Sequence, residues 1–121
     1  MQAADVVMLE FHQVGGVEQL LKTAATAEAC GLPLGLHTSY VTGIRTAAVL
    51  QLAAATPNLR YAPDTLWHGL KEDVLVNPLE FVDGSLLVPS GAGIGVEVDL
   101  ERVEAGAILS LLRVLEGDDG G

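Results

Sequence analysis

The sequence predicts an α/β protein built on a βαβαβ run, followed by a hairpin, a further strand segment and a closing helix. Three observations carry that expectation. Residues 6–9 are apolar without alternation, as a strand covered on both faces requires, and short strands are expected again at 34–36 and 59–62. Two longer stretches with helical spacing lie between them. Gly and Pro stand at the joints, at Gly31 and Pro33 and again at Pro57.

The first strand is Val6-Val7-Met8-Leu9, closed by Glu10. Gly15-Gly16 then leads into a helix with Val17, Leu20, Leu21, Ala24 and Ala27 on its apolar side. Glu18, Gln19, Lys22 and Glu28 fall on the other sides. Gly31 tolerates a left-handed cap and Pro33 cannot continue the helix, so the chain passes into the second strand, which ends on His37. Residues 43–56 read as a second helix with Ala47, Ala48, Leu50, Leu52, Ala53 and Ala54. It is apolar nearly all round and is expected to be buried. Pro57-Asn58 ends it, and the third strand runs into Pro63-Asp64-Thr65. Crossovers in such a unit are right-handed.

Beyond Asp64 the pattern changes. Residues 67–76 are irregular or briefly helical, with Trp67 as a packing residue. Glu80-Phe81-Val82 and Leu86-Leu87-Val88 flank Asp83-Gly84, a hairpin signal because those two residues accept positive φ. The glycine-rich stretch 89–95 leads into Val96-Glu97-Val98, which alternates like a strand, so it does not cradle a phosphate at a helix start. Asp99 caps a last helix carrying Leu100, Val103, Ala107, Ile108, Leu111 and Leu115. The tail 117–121 is expected to be disordered.

Composition limits the partners. Half of the 121 residues are hydrophobic and only 4% are aromatic, so the core must be built from Ala, Val and Leu. Six basic residues against 16 acidic ones give a net charge of −10, which argues against nucleic acid and anionic membranes. No run has the 18 or more apolar residues of a membrane span. The single Cys30 excludes an internal disulfide, reads as a small buried hydrophobe and fits a reducing, cytoplasmic compartment. The three histidines and scattered acids have no metal-ligand spacing, so no independent metal site is expected.

The chemistry-bearing residues stand at strand ends. Glu10 and His37, 27 residues apart, each close an apolar strand at its carboxyl end, where loops of parallel α/β proteins gather their functional groups. His12 and His68 read as surface or loop histidines. Gly15-Gly16 serves equally a tight turn or the close approach of a substrate carboxylate.

Several pieces, in order over residues 5–104, carry a resemblance. They are Val14-Gly15-Gly16-Val17 after a strand, Gly31-Leu32-Pro33 leading to His37, Ala47-Ala48, and Leu52-Ala53-Ala54-Ala55-Thr56-Pro57-Asn58. Asp73-Val74, Asp83-Gly84, Val88-Pro89 and Gly93-Ile94-Gly95-Val96-Glu97-Val98-Asp99 complete the set. Together they resemble the carboxyl-terminal part of the mandelate racemase and muconate lactonizing enzyme group of the enolase superfamily. The resemblance implies the last part of a (β/α)7β TIM-like barrel: residues 1–66 as its last three strands, 67–116 as the returning segment with hairpin and terminal helix, and 117–121 as the tail. It also implies a Mg²⁺-dependent enzyme that removes a proton α to a carboxylate and stabilises the enolate on the metal.

Carried over residue by residue, the resemblance makes His37 the general base at the seventh strand. Glu10 falls on the sixth-strand acid that orients that base, with one methylene more than the usual Asp. Cycloisomerase members carry a Lys there, so Glu10 disfavours a lysine base. Asp64 is the acid nearest the eighth-strand position that stabilises the intermediate. A histidine that acid-sugar dehydratases place soon after is Leu66 here, and the proline of the family's glycine-rich loop is Ala92. The three metal-binding acids and the lysine pair of the family belong to barrel strands that do not precede Asp5. The implied enzyme is a lyase or isomerase acting on a small carboxylate, by dehydration, racemisation or cycloisomerisation, and the isolated chain is expected to be inactive. The alternative is a non-catalytic remnant or split-gene subunit that acts through its strand edges, with copies of itself or a complementing chain.

Overall fold

Val7–Glu10 forms the first strand, β1, because an apolar β-branched run followed by Gly15-Gly16 offers no helical face until Val17. A computed structural model describes residues 3–106. Val17–Ala29 is the first helix, α1, with Leu20, Ala24 and Ala27 buried on one stripe. It ends at Gly31, whose φ of 71° is the left-handed turn that glycine adopts without a Cβ penalty. Leu34–His37 is β2 and Gly43–Ala55 is α2.

β1 and β2 run parallel, with Val7 opposite Leu34, Met8 opposite Gly35, Leu9 opposite Leu36 and Glu10 opposite His37. Strand alternation sorts these side chains. Val7, Leu9, Leu34 and Leu36 pack with Leu20, Ala24 and Ala27 of α1 and with Val49 and Leu52 of α2. Met8, Gly35, Glu10 and His37 therefore share the face turned away from the helices. The third expected strand contracts to one parallel bridge, Leu59 to Leu34. Leu34 N donates to Asn58 O (2.8 Å), Arg60 N to Leu34 O (3.3 Å) and Asp64 N to Leu36 O (3.2 Å). Residues 60–62 are exposed and Pro63 brings no N–H, so the pairing is limited to these bonds and no regular strand forms. Asn58 itself is buried, and its side-chain amide donates to Ala24 O at 3.0 Å, tying this segment to α1.

α2 is apolar on two sides, and each side has its own core. Val49 and Leu52 face the strands, whereas Ala47 joins Trp67, Leu75 and Leu79, with Ile44, Leu50, Leu86 and Ile94 against them. The second core is held by Asp73. Its Oδ1 accepts from Gly43 N and from Val74 N, both at 2.8 Å, and its Oδ2 accepts from Trp67 Nε1 at 2.7 Å. The carboxylate thus occupies the N-terminal end of α2, where free amides and the helix dipole favour an anion. Glycine at 43 is a packing requirement, because a Cβ there would clash with Asp73 Oδ2 and with Leu75 Cδ1.

The remaining segment follows the expected order. Trp67–Gly69 makes one 3₁₀ turn, and Trp67 is buried as a packing residue. Phe81–Val82 (β3) pairs antiparallel with Ser85–Leu86 (β4). Their turn is Asp83-Gly84, with φ of 48° and 79°. Val98 bridges Leu75 antiparallel, and Gln51 Nε2 pins the glycine-rich loop by donating to Pro89 O at 2.6 Å. Residues 100–106 are helical and Asp99 Oδ1 accepts from Arg102 N at 3.1 Å, as a capping residue does. The expected helix positions 107–115 and the tail 117–121 lie outside the described residues. Cys30 departs from expectation: it is exposed. It follows the last turn of α1, past Ala27, where the buried stripe has ended. No described helix is long and apolar enough to cross a membrane.

Asp73→Ala is expected to lower stability by about 2–3 kcal/mol, because three donors lose one charged acceptor. Gly43→Ala is expected to cost about 1–3 kcal/mol by overpacking the same contact. Urea unfolding followed by circular dichroism measures both.

Candidate active site

The carboxyl ends of β1, β2 and the Leu59 segment bring Glu10, His37 and Asp64 to one end of the sheet. Asp64 is fixed by its backbone before its side chain acts. Its N–H donates to Leu36 O, and its carbonyl accepts from Thr38 Oγ1 at 2.9 Å. Thr38 is buried, and its backbone N–H donates to Asp64 Oδ1 at 3.0 Å. His37, the residue before, points the opposite way by strand alternation and meets the same carboxylate.

His37 Nδ1 stands 2.9 Å from Oδ1 and 2.8 Å from Oδ2 of Asp64. Two carboxylate oxygens on one ring nitrogen make it the donor, so Nδ1 carries the proton in the neutral ring and Nε2 is left as the acceptor. Ser39 Oγ lies 3.5 Å from Nε2, on the open side of the ring. Burial alone would raise the Asp64 pKa. Hydrogen bonds from His37 and from the Thr38 amide, with the attraction of the imidazolium, outweigh it and hold that carboxyl below its ordinary value.

Glu10 is placed beside His37 by the register but does not bond it. The expected orientation of His37 by Glu10 is therefore corrected: the partner of the imidazole is Asp64. The Glu10 side chain is only 10% exposed, and both its oxygens are buried without a hydrogen bond. Oε2 instead makes an ion-pair contact with Nδ1 of His12. His12 was set aside as a loop histidine on sequence grounds. The turn at 11–14, in which the N–H groups of Gln13 and Val14 both donate to Glu10 O, folds it back over Glu10. The i, i+2 spacing of Glu10 and His12 next to Gly15-Gly16 was the only sign of this in the sequence. His68, by contrast, stands edge-on to Phe81, away from the strand ends.

Among the described residues, no group of three or more His, Cys, Asp or Glu is placed to hold a metal ion. The donor set here does not fit Mg²⁺, which needs several oxygen ligands in octahedral order.

The enolase C-terminal domain-like family model matches residues 1–103. A probable glucarate dehydratase from Streptomyces coelicolor is 34% identical over 101 residues, covering 84% of this chain and 23% of that protein. Muconate cycloisomerase 1 from Rhodococcus opacus is 32% identical over 103 residues, 84% of this chain and 28% of the relative. Among solved structures, an enolase from Gibberella zeae complexed with magnesium, formate and sulfate superposes with a TM-score of 0.77 at 40% identity, over 85% of this chain and 25% of that one. An enolase from Mycobacterium smegmatis complexed with formate and acetate gives 0.78 at 41%, over 84% and 24%. The chain spans about a quarter of the length of the relatives it matches.

The Asp64 geometry sets an acid-side signature. A carboxyl held below its unfolded pKa contributes stability above that unfolded value, near pH 4, and loses it as the pH falls through the folded value. Thermal melts between pH 5 and pH 2.5 should therefore fall more steeply for the parent than for Asp64→Asn. With side chains 42% and 63% exposed, the difference will be small and will shrink further in high salt.

Proposed function

Since the chain belongs to the enolase C-terminal domain-like family, we propose that it forms the C-terminal part of an enzyme that removes a proton α to a carboxylate. Residues 1–66 would supply the last three strands of a (β/α)7β barrel and residues 67–116 the segment returning to the rest of the enzyme. His37 is the base. What carries the reading is the doubly held Nδ1 of His37, which leaves Nε2 as a lone-pair acceptor at the open strand ends.

The chemistry of these residues follows from that arrangement. Nε2 takes the substrate proton, and the imidazolium so formed keeps its Nδ1–H on Asp64, whose negative charge stabilises it. Asp64 needs no movement, since Leu36 and Thr38 fix its backbone on both sides. The electron pair left on the substrate would be met by groups other than the described acids, which form no cluster of three or more able to hold a metal ion. Dehydration of a sugar acid is the preferred member reaction, in keeping with Glu10 where a lysine base would otherwise stand.

The chain alone is read as inactive, completed by further barrel strands. The outer edge of β1 supports this, since β1 pairs only with β2 among the described residues, and Met8 on the face away from the helices is 63% exposed. Unpaired edges of this kind take up another strand.

A graft tests the reading: residues 3–103 of this chain replace the matching stretch of the Streptomyces coelicolor relative. The graft is expected to exchange the α-proton of a sugar acid with deuterium from solvent, and its His37→Asn form to lose that exchange by about 10³-fold. Exchange that survives in the His37→Asn graft would refute His37 as the base. The 121-residue chain alone should give no turnover. A rate in that chain abolished by His37→Ala would overturn its inactivity.

A further inference from the structure

The imidazole of His37 faces a hydroxyl as well as a carboxylate. Both oxygens of Asp64 accept from Nδ1, at 2.9 Å and 2.8 Å, so Nε2 is the acceptor of the neutral ring. Ser39 Oγ donates to that nitrogen at 3.5 Å. Asp64, His37 and Ser39 thus stand in the order acid, imidazole, hydroxyl, the relay that makes a serine nucleophilic. A contact of 3.5 Å is long, and such relays are often loose until a substrate is bound. The acid end is already fixed, because Asp64 N donates to Leu36 O and Thr38 N donates to Asp64 Oδ1. Neighbouring hydroxyls are engaged elsewhere. Thr38 Oγ1 donates to Asp64 O at 2.9 Å and Thr46 Oγ1 donates to Thr42 O at 3.3 Å. Ser39 is exposed, and among the described residues its hydroxyl meets His37 alone. The N–H groups of Ser39, Tyr40 and Val41 donate to no described residue, which leaves donors on the same loop for an oxyanion.

We propose that Ser39 is an activated nucleophile that takes the acyl group of a small activated carboxylic ester. This role uses the His37–Asp64 contact but no removal of an α-proton. In the step, Ser39 Oγ bonds to the ester carbonyl carbon while its proton passes to Nε2 of His37. The Nδ1–H stays on Asp64, whose charge stabilises the imidazolium. The carbonyl oxygen of the tetrahedral adduct carries the negative charge. As the adduct collapses, the carbonyl C=O re-forms and the bond to the leaving oxygen breaks. That oxygen takes the proton from Nε2 and departs as an alcohol or phenol, His37 returns to its neutral Nδ1–H form, and an acyl ester remains on Ser39. Each chain takes up one acyl group, and no turnover is required.

Mixing the 121-residue chain with p-nitrophenyl acetate tests it. Peptide mass spectrometry should find the first acetyl group on Ser39, and none on Ser85 or Ser90, which are exposed as well. His37→Asn should slow acetylation of Ser39 by about 100-fold. Asp64→Asn should slow it by about 10-fold or more, because an amide can donate to Nδ1 and leave the wrong tautomer. Circular dichroism of both variants should match the parent, since neither side chain belongs to a core. Acetyl groups elsewhere with none on Ser39 would overturn the role, as would acetylation of Ser39 at the parent rate in His37→Asn. Nitrophenolate released at the parent rate by Ser39→Ala would assign the attack to the imidazole itself and overturn it too. The enzyme reading fails separately: a graft without α-proton exchange leaves the acetylation of Ser39 in the 121-residue chain unchanged.

Discussion

The Asp73 carboxylate is the contact on which both cores depend. It closes the amino end of α2, holds the indole of Trp67 and fixes the chain at Val74 with three hydrogen bonds. α2 is the one element shared by the two cores, and it begins six residues after His37. Anchoring its first turn therefore limits how far the intervening loop, with Ser39 and Tyr40, can shift. It also fixes Arg45, which reaches the second imidazole from that same turn. The Asp73 carboxylate thus ties the amino end of α2, and the loop that leads to it from β2, to the segment that carries Trp67 and Val74.

Glu10, His37 and Asp64 recur at intervals of 27 residues, the length of one strand, helix and return. Parallel register converts that sequence interval into adjacency at one end of the sheet. Alternation then turns the side chains of His37 and Thr38 to different sides, and both residues meet Asp64. The imidazole is held from the C-terminal side, by Asp64, and not from the N-terminal side, by Glu10. Asp64 is closer in kind to an orienting acid because Thr38 and Leu36 grip its backbone, whereas the carboxylate of Glu10 is turned into the 11–14 turn.

Much of the fold was legible in the chain. Unbroken apolar runs at Val7 and Leu34 marked the two strands, although Met8 on the face away from the helices is exposed, and Gly31 with Pro33 marked the passage between helix and strand. Asp83-Gly84 announced its hairpin through the φ values those residues tolerate. The position of His37 and Asp64 at strand ends was legible for the same reason. Their bond to each other was not, because the sequence at residues 59–62 does not say how far a third strand stays paired. Cys30 misled because its sequence neighbours are apolar while the helical stripe had already turned away from it. Asp73 carried no signal of its three hydrogen bonds, since a lone acid in a polar turn looks the same whether it faces water or a buried partner.

The exposure of Cys30 has a practical consequence. α1 runs back from the strand ends that carry His37, so the thiol lies at the rear of the sheet, away from every group assigned to chemistry. As the sole sulfhydryl in the chain, it accepts a maleimide fluorophore or spin label at one defined place. Such a probe would report on the rear of the sheet while leaving the end that carries His37 and Asp64 untouched.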